Sequence, residues 1–578
     1  MKKVFSKPQT WLILLLVVAM LAAVFVSANR KPVSPSGSEN LSTVQCENLY
    51  TLGKVWGVAK YYHPAFTTGA ANWDEELLNL LPQVLAAKNA DETNALLADW
   101  LKSLDEIPPN EPLAPYVDDT PGVRRITQEP DLAWLQDGSL SKDLSAALVP
   151  LVNTPVQTGA GGPMVFNEFG RATFDNENPY EEMNYGDDAM RFLGLFRYWN
   201  AVEFYYPHKD IIDYDWDDVL AEFIPRIIEG DDELSYKRTL CELTTRVQDA
   251  HVVNQDGGAL DASWGNKRPP MSFQIVEDKV VVTKLSEKHP DANPLRPGDV
   301  VLACDGKDME EVIQEALKYH AISREGAYAR PSGYLFATSQ DSMKLTVLRN
   351  GQTLELDVPC YDVDFQTKPP LPSHELLADN IGLITPGYLE GYKVPGMDEI
   401  TSMMEELQDT QGLIVDLRQF AINYEPFAEF IMPHPTTAAN ISHVDPQVPG
   451  RFYVMEPSPY VYGKENPDYY KGKIVILIDE DSISSAEFGA MVIRQAPNAT
   501  VIGNNSVGAD GNVAFLTLPG NLQTSFTGLC VYTPEGGQTQ RIGLQPDIIC
   551  KPTIEGIAQG RDELMEKAIK YITGEAVN

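Results

Sequence analysis

Paired cysteines are missing from this sequence: its six, Cys46, Cys241, Cys304, Cys360, Cys530 and Cys550, are scattered with no C-x-x-C among them. That spacing disfavours a structural zinc site, while one or two disulfides are compatible with an oxidising compartment. Basic charge is also scarce. Lys and Arg number 45 against 82 Asp and Glu, a net charge of −37, so nucleic acid is not expected as a partner, because a polyanion gains nothing by approaching phosphates. Neither a G-x-x-x-x-G-K-[ST] phosphate loop nor an H-E-x-x-H helix occurs. No cofactor and no metal are therefore expected.

What is present is a globular composition, 43% hydrophobic and 22% charged over 578 residues, too long for one core and suited to several domains. Lys2, Lys3 and Lys7 precede the apolar run WLILLLVVAMLAAVFV and a small-x-small site at Val26-Ser27-Ala28. This reads as a signal peptide over 1–28, which implies periplasm, cell envelope or secretion. An uncleaved segment there is the one membrane contact the sequence offers.

A repeat follows at a fixed offset. Leu52, Trp56, Tyr62, Pro64, Trp73 and Pro82 match Leu195, Trp199, Tyr205, Pro207, Trp216 and Pro225, each 143 residues on. Apolar residues at helical spacing make 40–106 and 186–256 two copies of a helical unit, with 107–185 an irregular Pro-, Gly- and Asp-rich linker between them. The matched aromatics are expected in the core. Only the second copy ends in Asp249-Ala250-His251, which suggests a task for that histidine beyond packing.

From Met271 the pattern becomes short alternating strands. The segment LRPGDVVLACDG, a helix and a hairpin at Asn350-Gly351 resemble a PDZ domain over 268–360, with an insertion around YHAISREGAYARPSGYLF. Such a domain captures an extended peptide at a sheet edge. Residues 372–578 then alternate strand and helix, so the whole is a multidomain α/β protein whose chemistry belongs at strand ends. In KIVILIDEDSISSAEFG a hydrophobic strand hands over to a helix through Ser482, Ser484 and Ser485. More serines stand there than a helix cap needs.

The DAH segment, LRPGD, GLIVDLR, SISSAE and GLQPDI, in that order from about Leu193 to Asp547, resemble the S41 family of serine peptidases, the tail-specific or C-terminal-processing proteases and their tricorn-like relatives. The resemblance implies a ClpP/crotonase-like peptidase domain, Ser484 as nucleophile and the Ser485 N–H as an oxyanion donor. The processing branch uses a lysine base about 25 residues on. Here Ala509 stands there, and no lysine lies between Lys473 and Lys551. The tricorn-like branch implies a histidine base, His251, with His434 and His443 as competitors, and a carboxylate before the G-[IV]-x-P-D motif. Gln540 occupies that place, leaving Gln540, Glu535 or Asp510 to support the base. After Asp416-Leu417-Arg418 the sequence runs QFAINY, without the glycine that often serves the oxyanion. The expected function is an exported serine peptidase acting on unstructured peptides or protein tails, of unassigned oligomeric state. The alternatives are an inactive peptide-binding envelope protein on the same scaffold, or a serine esterase.

Overall fold

Two long helices, Thr43–Tyr62 and Asp188–Tyr205, form the middle of the amino-terminal half of this computed structural model. Residues 41–111, 121–167, 171–286, 288–289, 293–328, 332–362, 373–385, 396–418 and 425–575 are described; the signal peptide expected over 1–28 and the 419–424 stretch after Arg418 lie outside them. Each long helix starts at a polar cap, Ser42 in a reciprocal box with Gln45 and Asp187 on the Ala189 N–H. Both are buried almost all round, which no single helical unit can satisfy alone.

The two segments matched in sequence accordingly share one core. Trp56 Nε1 donates to the Trp73 carbonyl at 2.8 Å, and Trp199 Nε1 to the Trp216 carbonyl at 2.7 Å. Charges cross between the halves in reciprocal fashion: Lys54 meets Asp217 at 2.8 Å, and Arg197 meets Asp74 at 2.6 Å. Gly57 makes the close approach feasible, since a Cβ there would come within 1.5 Å of Asn200 Oδ1. Arg197 is fully buried and also holds Glu177, which Lys60 holds as well, so removing Arg197 would leave the buried Asp74 carboxylate without its cation, at a cost of about 3–5 kcal/mol.

The stretch 107–185 is less irregular than its Pro/Gly content suggests. Val123–Gln128 adds a strand beside Phe452–Glu456, and Lys142–Val152 is a helix capped by Ser141. Leu144 and Leu148 of that helix reach the shared core, and their i, i+4 spacing is a helical signal that the surrounding breakers mask.

Residues 271–359 form an antiparallel sheet in the order Gln352–Pro359, Ser342–Arg349, Val300–Cys304, Lys279–Leu285, Met271–Val276, with Lys307–Asp308 beside Val300–Cys304. Helix Met309–Leu317 packs on it, and Asn350 and Gly351 make its tight hairpin with positive φ at both positions. The carboxy-terminal half is built on a second sheet, ordered His374–Leu377, Ile381–Ile384, Gly412–Asp416, Lys473–Ile478, Ala499–Gly503, Ile548–Ile549. All its pairings are parallel except the first. Lys473–Ile478 is central, and Ile474–Ile478 are fully buried, the apolar run a two-sided parallel strand requires.

A hairpin from this half, Val513–Leu518 and Leu522–Thr527, leaves its own sheet and enters the helical core with Leu516, Leu518, Leu522 and Phe526. Arg197 Nη1 donates to the Thr517 carbonyl at 2.8 Å and Tyr236 Oη to the Pro519 carbonyl at 3.1 Å. All six cysteines are free. Among the described residues no helix is long and apolar enough to cross a membrane.

Burial pushes two histidines, His208 and His320, down to about 4. Unfolded, both take up a proton near 6.5, so below that pH the unfolded chain binds protons the folded chain refuses. Their contribution to stability is intact above about pH 6.5 and declines as pH falls towards 4, by about 3 kcal/mol each. Thermal unfolding followed from pH 7 to pH 4 should show this decline, and His320→Phe should flatten it; an unchanged slope in that variant would contradict the assignment.

Candidate active site

Strand Lys473–Ile478 and helix Ser485–Ile493 are joined by a short turn, and the turn decides which serine is presented. Ser482 is buried; its hydroxyl donates to the Leu417 carbonyl at 2.8 Å and accepts from the Asp479 N–H at 3.0 Å. It ties the turn to the neighbouring strand and has no face left for chemistry. Ser484 is half-buried, with φ 57° and ψ −119°, a conformation that L residues rarely adopt. Such a strained corner lifts the side chain off the sheet, clear of its own helix. Ser485 begins the helix, where backbone N–H groups lack partners in the preceding turn and favour negative charge.

Glu487 holds this corner in place. Its Oε2 accepts from the N–H groups of Ser484 at 3.0 Å and Ala509 at 3.1 Å, and its Oε1 from Ser506 Oγ at 2.5 Å and the Gly508 N–H at 2.9 Å. Burial raises the Glu487 carboxyl, while these four donors favour its ionised form. The Ser484 N–H also reaches the Ala509 carbonyl at 3.0 Å. The residue standing where the processing branch has its lysine thus contributes backbone only, and its side chain is fully buried.

Ser484 and Ser485 open into a cavity of about 290 Å³. Its walls are largely apolar and aromatic, including Ile441, Tyr460, Phe488, Leu529 and Val531, and Arg171, Asp510 and Asn512 also line it. A volume of this order with few polar groups suits one large apolar side chain.

His251 comes from the helical half. The His251 N–H donates to Asp249 Oδ1 at 2.9 Å, and its Nδ1 lies 2.7 Å from Thr527 Oγ1 and 4.0 Å from Asp249 Oδ1. Asp249 is fully buried and receives two further donors, the Thr527 N–H at 2.6 Å on Oδ2 and Gln540 Nε2 at 3.0 Å on Oδ1. A histidine held through Nδ1 presents Nε2 for proton transfer. The His251 segment adjoins the nucleophile segment: Ala250 shares a small buried cluster with Ile483, Val507 and Ala509. Gly511, on the cavity wall, is so close to Thr527 that a Cβ there would come within 3.2 Å of the Thr527 methyl. His251 itself is 2% exposed and is not among the residues that line the cavity.

The remaining expected residues fall into place around this arrangement. Gln540 holds Asp249, not the imidazole, and Glu535 is exposed on the turn Thr533–Gly537. Of the competing histidines, His434 is exposed, and His443 Nε2 bonds the hydroxyl of Tyr460 at 2.7 Å on the far side of the cavity wall. Thr527 had no signal in the sequence, since nothing local marks a threonine 276 residues away as the partner of His251. Glu487 was legible only as the end of S-x-S-x-x-E; its four donors were not.

Residues 439–550, which contain this turn, match the model of peptidase family S41. Through this segment, about a fifth of its length, the chain is similar to that family. A stretch of 89 residues is 32% identical to the carboxy-terminal-processing protease of Bartonella bacilliformis, covering 15% of this chain and 20% of that protein. The chain thus matches about a fifth of the length of its curated relative. In three dimensions it resembles mature CPAF, both alone and complexed with lactacystin, at 15% and 14% identity and a TM-score of 0.51 each. The likeness covers 68% of this chain and 98% and 99% of the two matched chains. At that identity the resemblance to CPAF is one of fold, and the similarity to family S41 rests on residues 439–550.

Proposed function

We propose that this S41 chain is an exported serine peptidase that hydrolyses unstructured peptides or protein tails through an acyl-enzyme on Ser484. The observation that carries the reading is the strained Ser484 corner, half-buried and open to a largely apolar cavity, with helix-start N–H groups beside it. Ser484 Oγ attacks the peptide carbonyl, His251 takes the hydroxyl proton and returns it to the leaving amine, and the Ser485 N–H receives the developing oxyanion. Water then repeats the sequence on the acyl group. Asp249 supports the imidazolium charge, and the Thr527 hydroxyl fixes the ring. The sheet at 271–359 is the natural place to hold an extended peptide by strand addition, and the amino-terminal apolar run supplies the export.

The cavity walls give the cleavage preference: a large apolar residue immediately before the scissile bond. Incubation with a denatured protein mixture, with the new termini sequenced by mass spectrometry, should show cleavage after Leu, Met, Phe or Tyr, and a fluorophosphonate adduct should map to Ser484. Neither cleavage nor adduct would overturn the peptidase reading. A second reading, a peptide-binding protein without turnover, draws on Gln540 in place of a carboxylate and on the burial of His251. It predicts saturable peptide binding by an intact chain that takes no label.

A further inference from the structure

A cation on the wall of the Ser484 cavity has no part in the scheme above. Among the described residues that line the cavity, Arg171 carries the positive charge and Asp510 the negative one. The two are not equally open to a substrate. Asp510 is 3% exposed and turned to the Gly511 N–H at 2.7 Å, whereas Arg171 is exposed. A molecule in the cavity therefore meets the charge of Arg171. The surrounding chain fixes where that charge stands. Val165–Phe166 and Ala172–Thr173 pair as a short hairpin, closed by the Arg171 N–H on Asn167 Oδ1 and the Asn167 N–H on the Arg171 carbonyl, both at 3.0 Å. Three residues on, Phe174 is buried in the helical core against Tyr205 and Phe526. Asn512, also on the cavity wall, holds the guanidinium itself. With its amide oxygen towards Arg171, Asn512 Oδ1 accepts from Nε at 3.1 Å and from Nη2 at 3.2 Å.

We propose that Arg171 is a specificity residue, binding the side-chain carboxylate of an Asp or Glu that lies in the substrate close to the apolar residue filling the cavity. The proposal rests on the cavity as the place where a peptide is cut at Ser484. A guanidinium offers a carboxylate paired N–H donors and stays charged at every working pH, so it separates acid from amide where a neutral donor would not. Its reach is short. A cavity of about 290 Å³ is roughly 8 Å across if round, which two to three extended residues span at about 3.4 Å each. The carboxylate thus belongs to a residue within two positions of the scissile bond. Charge elsewhere on the chain does not cancel the effect: the total is −37, but exposed charges beyond a Debye length of about 8 Å are largely screened, and the nearest cation decides. A peptide that fills the cavity also excludes water from the pair, which strengthens it beyond an open surface ion pair. The 107–185 connection between the two helical copies thereby supplies a substrate contact to the Ser484 site.

Peptides acetylated and amidated at their ends test it on the full chain, each with a single Leu in a neutral sequence and either Glu or Gln at one of the two positions on each side of it. Wild type should favour Glu over Gln about tenfold in kcat/KM at one or more of these positions, the usual worth of a hydrogen-bonded charge. In Arg171→Ala that ratio should fall to about one. Arg171→Lys should keep part of it, and Arg171→Glu should favour Lys over Gln at the same position. Fluorescence anisotropy of the same peptides, labelled and bound to the Ser484→Ala chain, reads the preference without turnover. A ratio of about one in wild type, or a ratio that Arg171→Ala leaves unchanged whatever happens to the separate rates, overturns the proposal. Faster cleavage of peptides with a free carboxyl terminus, with no response to Glu, overturns the side-chain assignment. A chain that cleaves nothing yet binds Glu over Gln through Arg171 sinks the Ser484 reading alone, whereas one that cleaves Glu and Gln peptides alike sinks this proposal alone.

Discussion

Ser484→Ala, His251→Ala and the double variant should all retain the same residual hydrolysis, roughly 10⁶-fold below wild type in kcat. The equality matters more than the size. A serine hydroxyl without a base is a poor nucleophile at neutral pH, and an imidazole without the serine has nothing to activate, so each change removes the whole unit and the second removes nothing further. The geometry that leads to this expectation is a positive-φ serine on the cavity and a histidine whose segment packs against the serine's own. The measurement is steady-state hydrolysis of a peptide ester by all three variants, with single-turnover acylation followed for His251→Ala and thermal unfolding as a control for folding. Should His251→Ala acylate within tenfold of wild type, the base lies elsewhere. His443, joined to the cavity through the Tyr460 hydroxyl, would be the next candidate.

Asp249→Asn should cost about 10⁴-fold in kcat with a much smaller change in KM. Three donors converge on the Asp249 carboxylate, from His251, Thr527 and Gln540. An amide of the same shape turns one acceptor into a donor facing another donor, and removes the negative charge 4.0 Å from Nδ1 when the imidazolium forms. This gives Gln540 a role that differs from a direct support of the ring. Gln540→Glu alone would set a second carboxylate against Asp249 and should weaken the protein, whereas the same change on the Asp249→Asn background exchanges acceptor and donor across the pair. The double variant should therefore recover part of the lost rate, at least tenfold above Asp249→Asn. If Gln540→Glu harms both backgrounds equally, the two side chains are not coupled.

The legible parts of the molecule were those written locally. KIVILIDEDSISSAEFG shows a buried strand, a polar turn and a helix, which is enough to bring Ser482, Ser484 and Ser485 to a strand end, and the resemblance to family S41 singled out Ser484 among them. The physical reason that sets Ser482 aside, its hydroxyl's bond to the Leu417 carbonyl 65 residues earlier in the chain, has no local signal. The matched tryptophans 143 residues apart revealed two helical segments, but not that they interlock through Lys54–Asp217 and Arg197–Asp74 into one core. Long-range pairing of this kind leaves no local pattern. Breakers likewise hid the strand Val123–Gln128, whose pairing partner lies more than 300 residues on. Gln540 was visible as a departure from the expected carboxylate, yet its actual contact, Asp249, lies 291 residues away.

The hairpin that enters the helical core also has a consequence for how the chain is made. The helical half is synthesised first, but Leu516, Leu518, Leu522 and Phe526, which complete its interior, leave the ribosome more than 300 residues after its second long helix. Thr527, which orients His251, follows them. A nascent or truncated chain therefore holds a serine and a histidine that are not yet partners. On the proposed mechanism, hydrolytic competence would follow only once this hairpin has docked.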